Sequence, residues 1–178
     1  MPRKSEREMY ESAIAKTLEI VGDWWTLLII RDALLGIKRF DDFHNHLGIA
    51  RNILSSRMKK LVDAGLMEKS LYVDRPARYE YVLTPKGRDI FIMLSAIREW
   101  GERWYYGNQG LPTRVTHAGC GGETDTEVRC KSCGEVIASI SDLDIAFVPG
   151  DGRSEWNFWQ GRSNNWSQPG SAFDSHTG

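Results

Sequence analysis

The feature that most limits how this chain can fold is a stretch from Trp24 to Leu35 that is apolar almost all round a helix. Asp23 before it is a good helix N-cap, and Gly36 after it is a good helix stop. A helix without a polar face must be covered by other elements, so this one predicts the buried centre of a domain. Its apolar side chains include Trp25, Leu27, Leu28, Ile29, Ile30 and Leu34.

Three more helices are predicted around this centre. Apolar side chains recur at helical spacing in residues 10–21, 40–47 and 50–64. Gly48 and Ile49 place a tight turn between the last two of these helices. A helix, a tight glycine turn and a second helix form the arrangement of a helix-turn-helix.

A two-stranded ribbon and a long helix are predicted after the helix-turn-helix. Residues 66–73 and 78–83 have strand-like patterns, and the turn Asp74-Arg75-Pro76-Ala77 joins them. Thr84-Pro85 caps a helix that continues to about residue 106. The order of elements therefore predicts a mainly α (α+β) fold of the winged helix-turn-helix type.

Charge is distributed unevenly along the chain. The formal net charge is only −1, but residues 1–107 carry 18 Lys and Arg against 15 Asp and Glu, whereas residues 108–178 carry 5 against 9. Between Lys38 and Lys60, six basic residues stand against two acidic ones. Because DNA affinity depends more on a local basic face than on net charge, this segment favours nucleic-acid binding.

The helix predicted at 50–64 has the two faces that a DNA-recognition helix needs. One face carries an apolar stripe, and the other is polar and short enough to enter a major groove. The candidate DNA contacts on this helix and on the ribbon tip are Arg51, Asn52, Ser55, Ser56, Lys59, Lys60, Arg75 and Arg78. Double-stranded operator DNA is the expected partner. A winged-helix module that binds another protein is the alternative.

The three cysteines cluster with one histidine in a pattern typical of a zinc ribbon. His117-x2-Cys120 and Cys130-x2-Cys133 form two ligand pairs with nine residues between them. Four N and S ligands fill a tetrahedral zinc site and leave no position for a substrate, so we expect a structural zinc ion. A ribbon that has lost its metal and a redox-active cysteine pair are the alternatives. Short strands are expected at 114–116, 127–129 and 136–139.

Five short motifs follow one another along the first two thirds of the chain. They are Ile20–Ala33, Arg39–Phe43, Leu47–Met58, Leu61–Leu66 and Tyr79–Gly87. In this order and spacing they resemble the HxlR-type family of winged-helix regulators, over about residues 10–106. The resemblance implies a homodimeric repressor or activator. It also implies that the first helix and the long last helix of the domain form the dimer interface.

Two positions depart from the pattern of that family. Many members begin the domain with Cys-Pro, and the cysteine senses oxidants or electrophiles in some of them. Spacing back from Trp25 puts Ser12 and Ala13 at those positions, so thiol sensing there is not expected. The recognition helix of the family often opens with Ser-Pro, whereas this chain has Ala50-Arg51, and alanine is a poor N-cap.

Several function classes are disfavoured. We find no nucleophile–base pair, phosphate loop or open metal site, so an enzyme is not expected. No apolar run approaches the roughly 20 residues that span a bilayer, and the charged N-terminus lacks a signal-peptide core, so we expect a cytoplasmic protein without a membrane partner. A small-molecule effector is left open, because Trp100 and Trp104 suit either dimer packing or a ligand pocket.

Four parts are expected along the chain. The tail after residue 149 is rich in Gly, Ser, Asn and Gln and poor in aliphatic residues, which favours disorder. The expected parts are an N-terminal arm at 1–9, a winged-helix DNA-binding domain at 10–107, a zinc-ribbon-like β module at 108–149 and a flexible tail at 150–178.

Overall fold

The computed structural model describes residues 12–106 and 113–143. The predicted arm at 1–9 and the predicted flexible tail at 150–178 lie outside the described residues. The chain divides into two compact units, one ending at Thr126 and the other beginning at Glu127. The predicted start of the metal-binding module, at residue 108, precedes this division.

The first unit contains the elements of a winged helix-turn-helix, which confirms the predicted fold. Its helices up to the ribbon are α1 (Ala13–Val21), α2 (Trp24–Leu34), α3 (Phe40–Leu47) and α4 (Arg51–Asp63). The ribbon consists of β1 (Met67–Val73) and β2 (Arg78–Leu83). It is followed by α5 (Pro85–Arg88), α6 (Phe91–Gly101) and a π-helical turn (Glu102–Tyr106).

Helix α2 is the centre of this unit, as its apolar surface predicts. Ile29 and Ile30 are fully buried, and the helix packs against α1, α3, α4, β2 and α6. Burial of such side chains stabilises a fold by roughly 1.5–3 kcal/mol each. The covering is incomplete at the two ends, because Trp24 and Leu35 are 63% and 69% exposed. The apolar core of the unit consists of Val21, Ile29, Ile30, Phe43, Ile49, Leu54, Met58, Leu61, Leu66, Met67 and Leu83.

The ribbon is an antiparallel hairpin whose register is set by its buried base. Met67 lies opposite Leu83, and both are buried in the core. Further out, Lys69 lies opposite Tyr81, and the register shifts between Leu71 and Val73. The segment before α3 adds a short bridge to β2, because the backbone N–H of Tyr81 donates to the Lys38 carbonyl at 2.8 Å. The ribbon, which is the wing of this fold, is therefore hydrogen-bonded to the segment at the start of the helix-turn-helix.

The long helix predicted from Thr84 to about residue 106 is wrong as a continuous element. The Ile90 N–H pairs with the Gly87 carbonyl three residues back, so the helical ladder tightens there and starts again at Phe91. Gly87 packs directly on the start of the ribbon, where an added Cβ would lie 2.0 Å from the Leu66 carbonyl oxygen. The helix therefore consists of a four-residue segment packed against Leu66, a turn at residues 89–90, and a second segment that begins at Phe91.

Residues 113–143 contain little regular structure. The predicted strand at 114–116 is reduced to a single bridge between Thr116 and Glu123. Strands β3 (Val128–Arg129) and β4 (Val136–Ile137) pair antiparallel, and a 3₁₀ turn (Ile140–Asp142) follows them. None of the helices in the described ranges is long and apolar enough to cross a membrane.

Candidate nucleic-acid interface and metal-ligand pairs

Helix α4 presents the amphipathic surface expected of a recognition helix. Leu54, Met58 and Leu61 are buried in the core and hold the helix on the domain. The opposite face is exposed and polar and carries five of the predicted DNA contacts. These are Arg51, Asn52, Ser55, Ser56 and Lys59. The helix is therefore anchored on one side and free to contact a large ligand on the other.

The start of α4 is stabilised by an ion pair and has no side-chain cap. The side chain of Ala50 forms no hydrogen bond with the first turn, because a methyl group cannot accept one. The Arg51 guanidinium instead lies 2.8 Å from the Asp41 carboxylate of α3 and 5.7 Å from the centre of the Phe40 ring. Both Arg51 and Asp41 remain largely exposed, so Arg51 is oriented across the turn of the helix-turn-helix without being buried.

One flank of α4 is tied to the first two helices. Arg57 Nε and Nη2 donate to the two oxygens of the Asp23 carboxylate at 3.0 and 2.9 Å. Asp23 also caps α2 by accepting the Trp25 N–H at 3.1 Å. Lys60, a predicted DNA contact, turns its ammonium onto the Glu19 carbonyl of α1. It lies on the flank of α4, whereas Lys59 projects from the exposed face.

A second carboxylate on α2 holds the first helix of the helix-turn-helix. Asp32 is fully buried, and its Oδ2 lies 2.6 Å from Nδ1 of His46 on α3. Its Oδ1 accepts two hydrogen bonds from the neighbouring Arg31 guanidinium, at 2.9 and 2.7 Å. Sequence reasoning missed Asp23–Arg57 and Asp32–His46 as pairs. The available signals are the acidic N-cap at Asp23 and the adjacent charges of Arg31 and Asp32 in a largely apolar helix.

The predicted contacts on the ribbon lie at its outer end. Arg75 is in the turn between β1 and β2 and is 94% exposed, with only a distant Asp74 carboxylate at 3.8 Å. Arg78 is the first residue of β2 and lies opposite Val73. Both arginines are available to a ligand that extends past the wing.

The two predicted metal-ligand pairs lie on turns with the same backbone pattern. In the first turn, the His117 N–H donates to the Gly122 carbonyl and the Gly121 N–H donates to the His117 carbonyl, both at 2.8 Å. In the second turn, the Cys130 N–H donates to Glu135 at 2.8 Å and the Gly134 N–H donates to Cys130 at 2.9 Å.

Both turns also end on a glycine in the left-handed region. Gly121 and Gly134 each follow the second residue of a ligand pair, with φ of 72° and 76°. A short antiparallel bridge flanks each turn, Thr116 with Glu123 and Arg129 with Val136. Residues 116–123 and 129–136 are therefore a structural repeat that places its two candidate ligands at the first and fourth positions of the turn.

The side chains within each pair are close together. His117 Nδ1 lies 3.3 Å from the Cys120 sulfur. In the second turn, hydrogen bonds from the Cys133 and Ser132 backbone N–H groups and from the Cys133 side chain lower the pKa of the Cys130 thiol. The pairs belong to separate compact units. Within the described ranges, no three His, Cys, Asp or Glu side chains form a group that could hold a metal ion.

Comparison with known proteins identifies relatives over most of this chain. The family model for HxlR-like helix-turn-helix proteins matches residues 20–109. An uncharacterized HTH-type transcriptional regulator of Mycobacterium tuberculosis, Rv3095, is 39% identical over 140 residues, which are 79% of this chain and 87% of the relative. In a chain of 178 residues such an alignment ends no earlier than residue 140, so it includes both ligand pairs.

Two solved structures of candidate transcription factors are also similar to this chain. The crystal structure of PA1607, described as a candidate transcription factor, matches with a TM-score of 0.70 and 32% identity, covering 79% of this chain and 98% of that one. The candidate transcription factor PA1374 from Pseudomonas aeruginosa matches with a TM-score of 0.56 and 38% identity, covering 78% of this chain and 94% of that one.

The Asp23–Arg57 pair is expected to couple the stability of α2 to the position of α4. Asp23→Asn keeps an N-cap residue and removes the charge, whereas Arg57→Met removes the guanidinium and keeps an apolar stem. A double-mutant cycle measured by urea unfolding should give a coupling free energy of about 1–2 kcal/mol. The exposed pair Lys59–Asp63 is the control and should couple by less than about 0.5 kcal/mol. Equal coupling in both pairs would contradict a structural role for Asp23–Arg57.

Proposed function

This chain belongs to the HxlR-like helix-turn-helix family of DNA-binding transcriptional regulators, and we propose that it acts as a homodimeric repressor that recognises its operator through α4. The family is a non-enzymatic class, and the similar proteins from Mycobacterium and Bacillus subtilis are named as HTH-type transcriptional regulators. Repression requires only that the bound dimer occupy DNA that the polymerase needs. The observation that carries the proposed recognition mode is the exposed polar face of a helix whose other face is buried in the core.

In the proposed complex, α4 enters the major groove with its first turns nearest the bases. Arg51 and Asn52 suit guanine and adenine edges, and Ser55 and Ser56 are short enough to approach either. Lys59 then lies toward the phosphates, while Arg75 and Arg78 of the wing reach the backbone or the adjacent minor groove. Lys60 joins these phosphate contacts when its ammonium leaves the Glu19 carbonyl and binds a phosphate instead.

Asn52→Ala should reduce sequence discrimination more than it reduces overall affinity. Loss of a bidentate contact to an adenine edge removes about 1–3 kcal/mol of discrimination at that base pair. The measurement is a fluorescence-anisotropy titration against an operator selected from the protein's own promoter region and against a random duplex of equal length. Asn45→Ala on α3 removes the same side chain from an exposed position outside α4, and its ratio of affinities should equal that of the wild type.

Two outcomes would overturn this recognition mode. If Asn52→Ala keeps the wild-type ratio between operator and random duplex, α4 does not read the bases through its first turn. If the wild-type protein binds all duplexes equally and weakly, the winged helix is better explained as a protein-interaction module.

The proposed dimer interface consists of α1, α6 and the π-helical turn. These elements expose large apolar side chains on the described surface, which is the usual mark of a protein contact. The exposed side chains are Ile14, Leu18, Phe91, Ile92, Ile97, Trp100, Trp104, Tyr105 and Tyr106. Trp100 packs edge-to-face on Tyr105 with 5.5 Å between ring centres, so a flat apolar effector would find aromatic surface beside this interface.

Leu18→Glu should therefore dissociate the dimer. The side chain is 55% exposed in the single chain, and a carboxylate at an apolar interface would lose its hydration without gaining a partner. Sedimentation velocity at micromolar concentration should show a dimer for the wild type and a monomer for the variant. Leu71→Glu on the wing, where the side chain is 51% exposed, is the matched control and should remain dimeric. A dimer in both variants would exclude α1 from the interface.

We further propose that His117, Cys120, Cys130 and Cys133 bind one structural zinc ion. At zinc–sulfur and zinc–nitrogen distances of about 2.3 and 2.1 Å, two tetrahedral ligand atoms lie about 3.6 Å apart. The observed 3.3 Å between His117 Nδ1 and the Cys120 sulfur fits that separation. The repeated turn, with backbone N–H groups directed at the Cys130 sulfur, supports thiolate ligation in the second pair. The bound ion would supply the folding free energy that so short a segment lacks.

Purified protein is expected to contain about one zinc ion per chain by inductively coupled plasma mass spectrometry. Cys130→Ser and His117→Ala should each lose most of the metal, because three ligands no longer close the site. Ser132→Ala, which lies inside the second pair but offers no metal ligand in the proposed site, should keep it. Wild-type protein that neither contains zinc nor binds added zinc under reducing conditions would reject the site.

A further inference from the structure

A small polar cleft lies between the recognition helix and the wing. It has a volume of about 260 Å³ and is lined by Ser55, Lys59 and Val62 of α4 and by Lys69 and Tyr81 of the ribbon. Organic ligands of drug size occupy pockets of roughly 300–1,000 Å³ that are mostly apolar. This cleft is smaller and has two ammonium groups and two hydroxyl groups in its lining, so its chemistry suits a single oxyanion group.

Lys69 is the cation of this cleft that no acidic group neutralises. Among the described residues, no carboxylate lies within 4 Å of its ammonium, whereas the Lys59 ammonium is paired with Asp63. The Lys69 ammonium lies 4.0 Å from the centre of the Tyr79 ring and 5.9 Å from that of Tyr81. The two rings hold the charge above the ribbon while leaving it available to an anion.

We propose that this cleft binds one phosphodiester group of the operator backbone, with Lys69 and Tyr81 as phosphate contacts. The inference rests on the proposed function, because it requires α4 to lie in the major groove. Ser55 and Lys59 belong both to the exposed face of α4 and to the cleft, so a duplex seated on that face passes its backbone over the cleft. Lysine, serine and tyrosine side chains are common phosphate contacts, and such contacts fix the register of the protein on DNA.

The experiment is a salt titration of DNA binding with variants of the full-length protein. Binding of the selected operator and of a random 30-bp duplex is measured by anisotropy between 50 and 300 mM NaCl. Lys69→Gln should lower affinity for both duplexes by the same factor and should reduce the slope of log K against log salt by about 0.9, the value for one phosphate contact. Lys69→Arg should restore the wild-type slope. Tyr81→Phe should lower the affinity but leave the slope unchanged, because it removes a hydroxyl group and no charge.

Lys131→Gln is the matched control, because it removes the same charge from an exposed position outside the first unit and should leave the slope unchanged. Replacing single operator phosphates with neutral methylphosphonates then locates the contact. At one position, the methylphosphonate should weaken binding by the wild type and leave the binding affinity of Lys69→Gln unchanged. Thermal unfolding of each variant shows that the wing is intact.

The outcomes separate this inference from the proposed function. If the wild type binds the operator selectively but Lys69→Gln keeps its affinity and slope, the cleft is not a phosphate contact and the recognition mode stands. If the wild type does not select any operator, the proposed function fails first. If 10 mM inorganic phosphate competes with the duplex at constant ionic strength for the wild type but not for Lys69→Gln, the cleft is a free-phosphate site and the assignment to the DNA backbone is wrong.

Discussion

The arrangement of the DNA-binding unit depends on two carboxylates at opposite ends of one buried helix. Asp23 at the start of α2 holds α4 through Arg57, and Asp32 near the end of α2 holds α3 through His46. The apolar surface of α2 lets both helices pack against it, but apolar packing is non-directional and tolerates sliding. Hydrogen bonds with defined geometry from Arg57 and to His46 fix the two helices of the helix-turn-helix relative to a common element.

The same arrangement separates the exposed surface of α4 into regions with different roles. The flank with Arg57 and Lys60 is occupied by contacts to the first two helices, and the flank with Ser55 and Lys59 borders the wing. In the proposed complex the strip between them meets the base edges, and Ser55 borders both this strip and the wing. A helical wheel assigns all outward polar residues to one class, whereas packing on two sides separates those that contact neighbouring elements from those left exposed.

The repeat formed by residues 116–123 and 129–136 shows how local structure can prepare a metal site. Each turn brings its two candidate ligands together through backbone hydrogen bonds and a left-handed glycine, without help from distant residues. The alignment with Rv3095 covers both turns. Because the backbone of each turn is already ordered, less conformational entropy would be lost when a metal ion binds.

Several features of this protein follow from its sequence alone. The apolar run of α2, the glycine turn at Gly48 and the alternation of the ribbon determine the winged helix-turn-helix, because each is a local pattern whose period matches its element. The spacing of His117, Cys120, Cys130 and Cys133 likewise predicts the two ligand pairs. What only the tertiary structure decided is the close approach of Gly87 to the Leu66 carbonyl, just before the break in the last helix, and the direction of the Lys60 ammonium. Those outcomes depend on contacts between residues far apart in the chain, and no local propensity encodes which backbone carbonyl will lie nearby.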